Sequence, residues 1–222
     1  MSAMEETNFI LLWKEQYEKI DQSLVINKRL LKESISQKAE SQLQSLIRSK
    51  AIGAVIAVLY LVLLGIVLSY AILNYSPTAI YFIMSIGSIF LINVKALHDY
   101  IKHLVWANNI DYNGDVVAIQ QKLTRLQLSI ANHIRVMFLQ LPFWTTFYLS
   151  SEWFPAEMGW RYIVFQIFLT GSFAYLAYFL FRNLTLANLN KKWVRSLLSG
   201  AGGKKVMKAL AFYQEIESFK AG

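Results

Sequence analysis

Three histidines, a glycine-rich stretch ending in Gly203-Lys204 and the acidic run Asp111-Tyr112-Asn113-Gly114-Asp115 are where this sequence could hold chemistry. His98 and His103 are five residues apart, which places them on different faces of a helix. In a helical hairpin turning near residue 111, His103 would face about residue 119. His133 would then sit roughly 20 Å further along at helical rise. The three are expected not to converge on a metal and are read as surface or interfacial side chains. A phosphate loop ending at Lys204 would need glycine at 198 and Ser or Thr after the lysine. Leu198 and Lys205 stand there, so Ser199–Gly203 reads as a flexible loop that stops a helix. As a calcium loop, residues 111–115 carry their glycine two places early, and Lys122 occupies the position of the bidentate Glu. Asp115 is instead expected to cap a helix through its carboxylate.

The chain of 222 residues has no cysteine, which excludes a disulfide framework, Cys-ligated zinc, iron–sulfur clusters and thiol catalysis. No Ser/His/Asp set with a nucleophile turn is evident, and no carboxylate pair lies deep in an apolar stretch. The expectation is a protein with no cofactor and no enzymatic activity.

The composition points elsewhere. Hydrophobic residues make up 55% and charged residues 16%, where a soluble domain carries roughly 25% charged. Ala51 to Leu73 is 23 residues without a charge, about 35 Å of helix and enough to cross a hydrocarbon core of about 30 Å. Further apolar spans run from about Pro77 to Val94, Val136 to Trp153 and Tyr162 to Phe181. The third is interrupted by Gln140, Pro142, Thr145 and Thr146. With Gln166 these residues form an intramembrane polar set, suited to hydrogen-bonded helix packing or to a path for a small solute. Gly53, Gly65, Gly87 and Gly171 suit close helix packing.

Charge orients the spans. Of 22 Lys and Arg residues, only Arg161 falls outside the segments before span one, between spans two and three, and after span four. The positive-inside rule then predicts four spans with both termini and the central loop in the cytoplasm. Trp153, Phe154, Trp160 and Tyr162 read as an interfacial aromatic belt on the far side. The net charge of +8 is accounted for by orientation and by contact with an anionic inner leaflet, so nucleic acid is not an expected partner. The first fifty residues are too long and too charged for a signal peptide.

Residues 8–50 contain no Pro and no Gly, and Phe9, Trp13, Tyr17, Ile20, Leu24, Leu31, Ile35 and Leu46 recur at helical spacing. A bend near Ser34–Ser36 is compatible with the pattern but not required. Val116, Ile119, Leu123, Leu126, Ile130 and Met137 lie on a heptad seam, with His133 at the remaining position. They predict the returning arm of a hairpin over residues 95–135. After span four, Leu186, Leu189, Trp193 and Leu197 with Lys191, Lys192 and Arg195 predict a basic amphipathic stretch on the inner leaflet. A last helix presents Val206, Leu210, Tyr213 and Ile216.

Several segments carry a resemblance together: Leu11-Leu12-Trp13-Lys14, Gln121-Lys122-Leu123 with Leu126, Leu139 to Tyr148 around Pro142-Phe143-Trp144-Thr145-Thr146, Asn190-Lys191-Lys192-Trp193, and Glu215 to Phe219. The chain resembles a group of uncharacterised small bacterial inner-membrane proteins with four spans, over nearly its whole length. The resemblance implies bacterial origin and membrane class and carries no activity.

The expected fold is all-α: an integral membrane four-helix bundle with cytoplasmic amphipathic extensions and a helical hairpin between spans two and three. Its parts are an arm (1–50), a membrane domain (51–182, including the hairpin) and a basic tail (183–222). The expected role is that of an adaptor, scaffold or signalling regulator. Trp13, Tyr17, Ile20, Leu24, Leu123, Leu126 and Ile130 would dock a cytoplasmic protein or a second copy. The alternative is a small oligomeric transporter or channel subunit.

Overall fold

The computed structural model describes the backbone of residues 3–112 and 114–221, and the side chains of 13–27, 29–112, 114–200 and 202–212. Within these the chain is helical and contains no strand. The side chains of Phe9, Leu11, Leu12, Tyr213, Ile216 and the Glu215–Phe219 segment lie outside the described residues.

Helix α1 runs unbroken over Ala3–Leu73, about 106 Å at helical rise, with no interruption at Ser34–Ser36. Asn74 closes it, donating both its backbone N–H and its side-chain amide to the Tyr70 carbonyl at 3.0 Å. Ser76 then accepts from the Thr78 N–H, and Pro77 occupies the first turn that follows, where its missing N–H leaves nothing unpaired. Helix α2 spans Ile80–Asn108 and helix α3 Val116–Met137. Asp115 caps α3 as expected, accepting from the Ala118 N–H at 3.1 Å. Helix α4 spans Trp160–Asn183. Arg135 joins α3 to the end of α4, donating to the Phe181 carbonyl at 2.6 Å with its guanidinium 4.5 Å over the Phe181 ring. Helix α5 (Lys192–Leu198), a π turn (Ser199–Gly203) and helix α6 (Lys204–Ala221) complete the chain.

Three helical segments are long and apolar enough to cross a membrane, within α1, within Pro77–Asn108 and in α4. The stretch expected as the third rod is not an α-helix. α3 ends at Met137, a 3-10 helix covers Phe138–Thr145, and turns follow. Pro142 is the physical reason, since it lacks an N–H and its ring crowds the preceding turn. The segment lies along α2 in antiparallel register. Asn93 meets Gln140 at 3.2 Å, Ser85 meets Thr146 at 2.8 Å, and Ser151 donates to the Pro77 carbonyl at 2.6 Å. From Pro77 to Asn93, α2 advances about 24 Å. The partner segment needs only residues 140–151 for that distance, because its 3-10 part, up to Thr145, rises about 2.0 Å per residue and the turns after it are not α-helical. The apolar region is thus a row: α1 on α2, α2 on the 3-10 segment, and that segment on α4.

The main core is elsewhere. Ile35, Ala39, Leu43 and Leu46 of α1, Ala107 of α2, Ile119, Leu123, Leu126 and Ile130 of α3, and Val206 and Ala209 of α6 form one buried cluster. The well-packed four-helix bundle is therefore α1–α2–α3–α6, beyond the apolar stretches rather than among them. We refer to it as the distal bundle. Only Leu64, Ile86 and Ile89 form a second, smaller cluster. Such a division follows if the spans are solvated by lipid, since apolar side chains gain nothing there by hiding from one another. Gly53 and Gly65 do admit ring neighbours, Tyr100 and Phe90, whereas Gly87 and Gly171 face open space.

The last helix does not hang free. α6 runs back along α1, with Lys205 donating to the Ser45 carbonyl at 2.8 Å. The π turn makes this reversal. Gly202 has φ +95°, and a β-carbon there would sit 2.5 Å from Leu46 Cδ1, so the expected flexible loop is a packed corner only glycine fits.

Candidate functional site

The structure brings together the polar set expected within the membrane and gives each member a partner. Gln166 of α4, 3% exposed, donates to the Thr145 carbonyl at 2.6 Å and accepts from the Tyr148 hydroxyl at 2.9 Å. The Thr145 hydroxyl reaches the Pro142 carbonyl at 2.7 Å and the Thr170 hydroxyl at 3.0 Å. Thr146 pairs with Ser85, and Gln140 with Asn93. A broken helix in an apolar surrounding leaves backbone carbonyls that something must satisfy. Gln166, Thr145 and Thr146 do that here, and Pro142 creates the need.

A second polar group sits where the distal bundle begins, and it corrects the histidine expectation. His103 and His133 converge, with ring centroids 5.9 Å apart, while His98 is exposed. His103 Nε2 lies 3.0 Å from Ser129 Oγ, and His133 Nδ1 lies 3.3 Å from Asp99 Oδ2. Asp99 also accepts from Lys95. Lys50 of α1, 5% exposed, places its ammonium 4.6 Å over the Tyr100 ring, which itself packs 5.0 Å from His133. His103 faces Ser129 rather than residue 119 because the hairpin is staggered. α2 ends at Asn108 but α3 starts at Val116, and Lys122 donates to the Asn109 carbonyl. The start of α3 thus overhangs the end of α2.

Lys50, Asp99, Tyr100, His103, Ser129 and His133 bring one carboxylate and one ammonium group into the interior, and the half-exposed Lys95 adds a second ammonium at its edge. No group of three or more His, Cys, Asp or Glu side chains among the described residues could hold a metal ion. Lys50, Ser85, Asn93, Tyr100 and Ser129 were not singled out from the sequence. Lys50 could have been, since it continues the buried stripe Ala39, Leu43, Leu46 at helical spacing.

The electrostatics follow from burial. His103 is drawn down from 6.5 to about 3, and His133 to about 4, first by burial and next by Lys50. Lys102 and His133 add to the effect at His103 and Lys95 at His133, while Asp99 opposes it at both. Burial alone would raise the Asp99 carboxyl, but its bonds to Lys95 and His133 hold it below its usual value. Burial brings Lys50 down to about 8 against the pull of Asp99. The histidines are therefore neutral at neutral pH. The unfolded chain protonates them near 6.5 while the folded chain resists until about pH 4, so stability falls as pH drops through that window. Thermal unfolding of the full chain in detergent is expected at steadily lower temperature from pH 7 to pH 5. His133→Gln should flatten that slope, and a flat profile in the parent would contradict the assignment.

The expected docking residues divide. Leu123, Leu126 and Ile130 are at most 1% exposed, inside the core of the distal bundle, so they cannot face a partner. They were misassigned because a heptad seam looks the same whether its partner is the same chain or another. Trp13, Tyr17, Ile20 and Leu24 are between 49% and 69% exposed. The hairpin tip explains the boundary, since Ser36 Oγ donates to the Tyr112 carbonyl and Lys32 Nζ to the Gly114 carbonyl. From Lys32 back to Trp13, about 28 Å of α1 overhangs the hairpin tip.

No family model, curated protein or solved structure matches the chain.

Proposed function

We propose that the protein is a non-enzymatic, membrane-anchored helical scaffold whose overhanging arm pairs with the arm of a second copy. It crosses a bacterial inner membrane four times with both termini in the cytoplasm. The 3-10 segment beside α2 supports the fourth crossing, because it travels the same depth as α2 between Asn93 and Pro77. The internal hydrogen bonds of Gln140, Thr145, Thr146 and Gln166 favour a packing role for that polar set over a solute path.

One observation carries the scaffold reading: the exposed row Trp13, Tyr17, Ile20, Leu24. Leu31, Ile35 and Ala39 continue that row along α1 into the buried core. The same stripe that builds the distal bundle therefore continues past its end with nothing over it among the described residues. A second copy is the occupant that fits. Its arm leaves the same membrane in the same direction, so the two stripes meet in parallel and in register. The flanks carry both signs of charge, Lys14, Glu15, Glu18, Lys19 and Asp21, with Lys19 on Glu15 at 2.8 Å, which suits a helix–helix contact.

The absence of cysteine makes the test clean, because an introduced thiol is the sole one. Ile20→Cys in membranes should give a disulfide-linked dimer on mild oxidation, and Gln22→Cys, on the opposite face, should not. Leu24→Asp added to Ile20→Cys should abolish the dimer. Equal cross-linking at 20 and 22 would sink the pairing. A monomer that instead needs the arm to retain a soluble protein would replace the second copy with another partner. Glu157→Cys should react with an impermeant maleimide from outside intact cells while Lys122→Cys does not; the reverse would overturn the orientation.

A further inference from the structure

Between α5, the π turn and α6 lies a groove of about 660 Å3. Lys192, Arg195, Lys204 and Lys208 line it together with the apolar side chains of Leu189 and Met207. All four cations are exposed, and among the described residues no carboxylate lines the groove and none of the four makes an ion pair. Lys205 points elsewhere, to the Ser45 carbonyl. The π turn that holds Lys204 beside α5 is fixed by Gly202 against Leu46.

The position of the groove narrows its occupant. Trp193 of α5 stacks on Phe179 near the end of α4, with ring centroids 5.8 Å apart and planes 22° off parallel. The start of α6 lies level with Ser45, six residues before the apolar stretch of α1, or about 9 Å beyond it. The headgroup layer extends about 5–8 Å beyond each face of the hydrocarbon core. The start of α6 thus stands at the outer edge of the headgroup layer, where long cationic side chains can reach back toward its phosphates, and Leu189 and Met207 offer an apolar wall beside the four cations.

We propose that this groove is a binding site for a membrane lipid whose headgroup carries two phosphate charges. The inference rests on the membrane placement proposed above. Four converging cations exceed the single charge of one phosphodiester, and two phosphates offset half of the four. The apolar wall receives the glycerol and upper acyl atoms that a free anion lacks. Anchoring itself does not depend on the groove, since the apolar helices supply it.

Native mass spectra of the full chain in neutral detergent test the proposal, with cardiolipin, phosphatidylglycerol, phosphatidylcholine and inorganic pyrophosphate as probes. Cardiolipin should be retained at least about tenfold more tightly than phosphatidylglycerol, given that each cation near a lipid surface contributes roughly enough for a several-fold change. Arg195→Gln with Lys208→Gln should erase that preference. Lys122→Gln with Arg125→Gln, the same charge change at the far end of the hairpin, should leave it intact. Equal loss in both double variants would reduce the effect to general charge and overturn the site. Pyrophosphate bound as tightly as cardiolipin would make the occupant a soluble anion and overturn the lipid assignment. Resistance of the variants to carbonate extraction from membranes reports separately on membrane placement. If the parent itself is extracted, that placement fails; if all remain embedded and no preference is seen, only the groove does.

Discussion

Leu126→Ala is expected to lower the stability of the distal bundle by about 2–5 kcal/mol, the largest loss among simple truncations. Leu126 is fully buried on α3 among residues drawn from α1, α2 and α6. Removing its isopropyl group forfeits the transfer of those atoms from water and leaves a cavity bounded by helices that cannot collapse onto it. The informative comparison is Leu24→Ala, the same change on the exposed part of the α1 stripe. In the isolated chain it should cost well under about 1 kcal/mol, as surface substitutions do, while weakening association of the arms. Loss of helical signal on heating in detergent measures the first effect and cysteine cross-linking the second. Comparable destabilisation by both substitutions in the monomer would mean that the arm is packed against the rest of the chain after all.

Asp99→Asn should be the most damaging change to the polar layer. It leaves Lys50 and Lys95 with no carboxylate among the bonds described and weakens the acceptor of His133. Breaking a buried pair from one side costs about 3–5 kcal/mol. The Lys95 side chain is 39% exposed and water screens part of its charge, so about 2–3 kcal/mol is expected here. Lys50→Met should recover part of this loss, because it removes the ammonium that Asp99 balanced. The loss should also shrink above about pH 8, where Lys50 gives up its proton in the folded chain. A double-mutant cycle over Lys50 and Asp99 measures the coupling directly. Strict additivity would show that the two groups do not sense each other.

The helical class and the Asp115 cap were legible because each depends on local spacing. What was not legible depended on register between distant segments. The stagger of α2 against α3 shifts the residue opposite His103 from about 119 to 129, and no local pattern encodes a stagger. Leu123, Leu126 and Ile130 were correctly read as one apolar face, but the sequence does not say that α1 and α6 of the same chain cover it. Span three shows the opposite case. Pro142 and the two threonines announced an interruption, yet the role of Gln166 in closing it needed the fold, because it lies 21 residues beyond Thr145, whose carbonyl it satisfies.

The unbroken length of α1 has a mechanical consequence. From Ala51 to Trp13 the helix extends about 57 Å, and between Ala3 and Ile52 it contains neither glycine nor proline to act as a hinge. A tilt of about 10° at the bilayer, within the range by which spans adjust to membrane thickness, would sweep the tip sideways by about 10 Å. With α1 set in a bilayer as proposed, a small change there would be amplified into a lateral displacement comparable to one helix diameter. If two copies pair as proposed, their joined tips would act as a gauge of the bilayer that holds them.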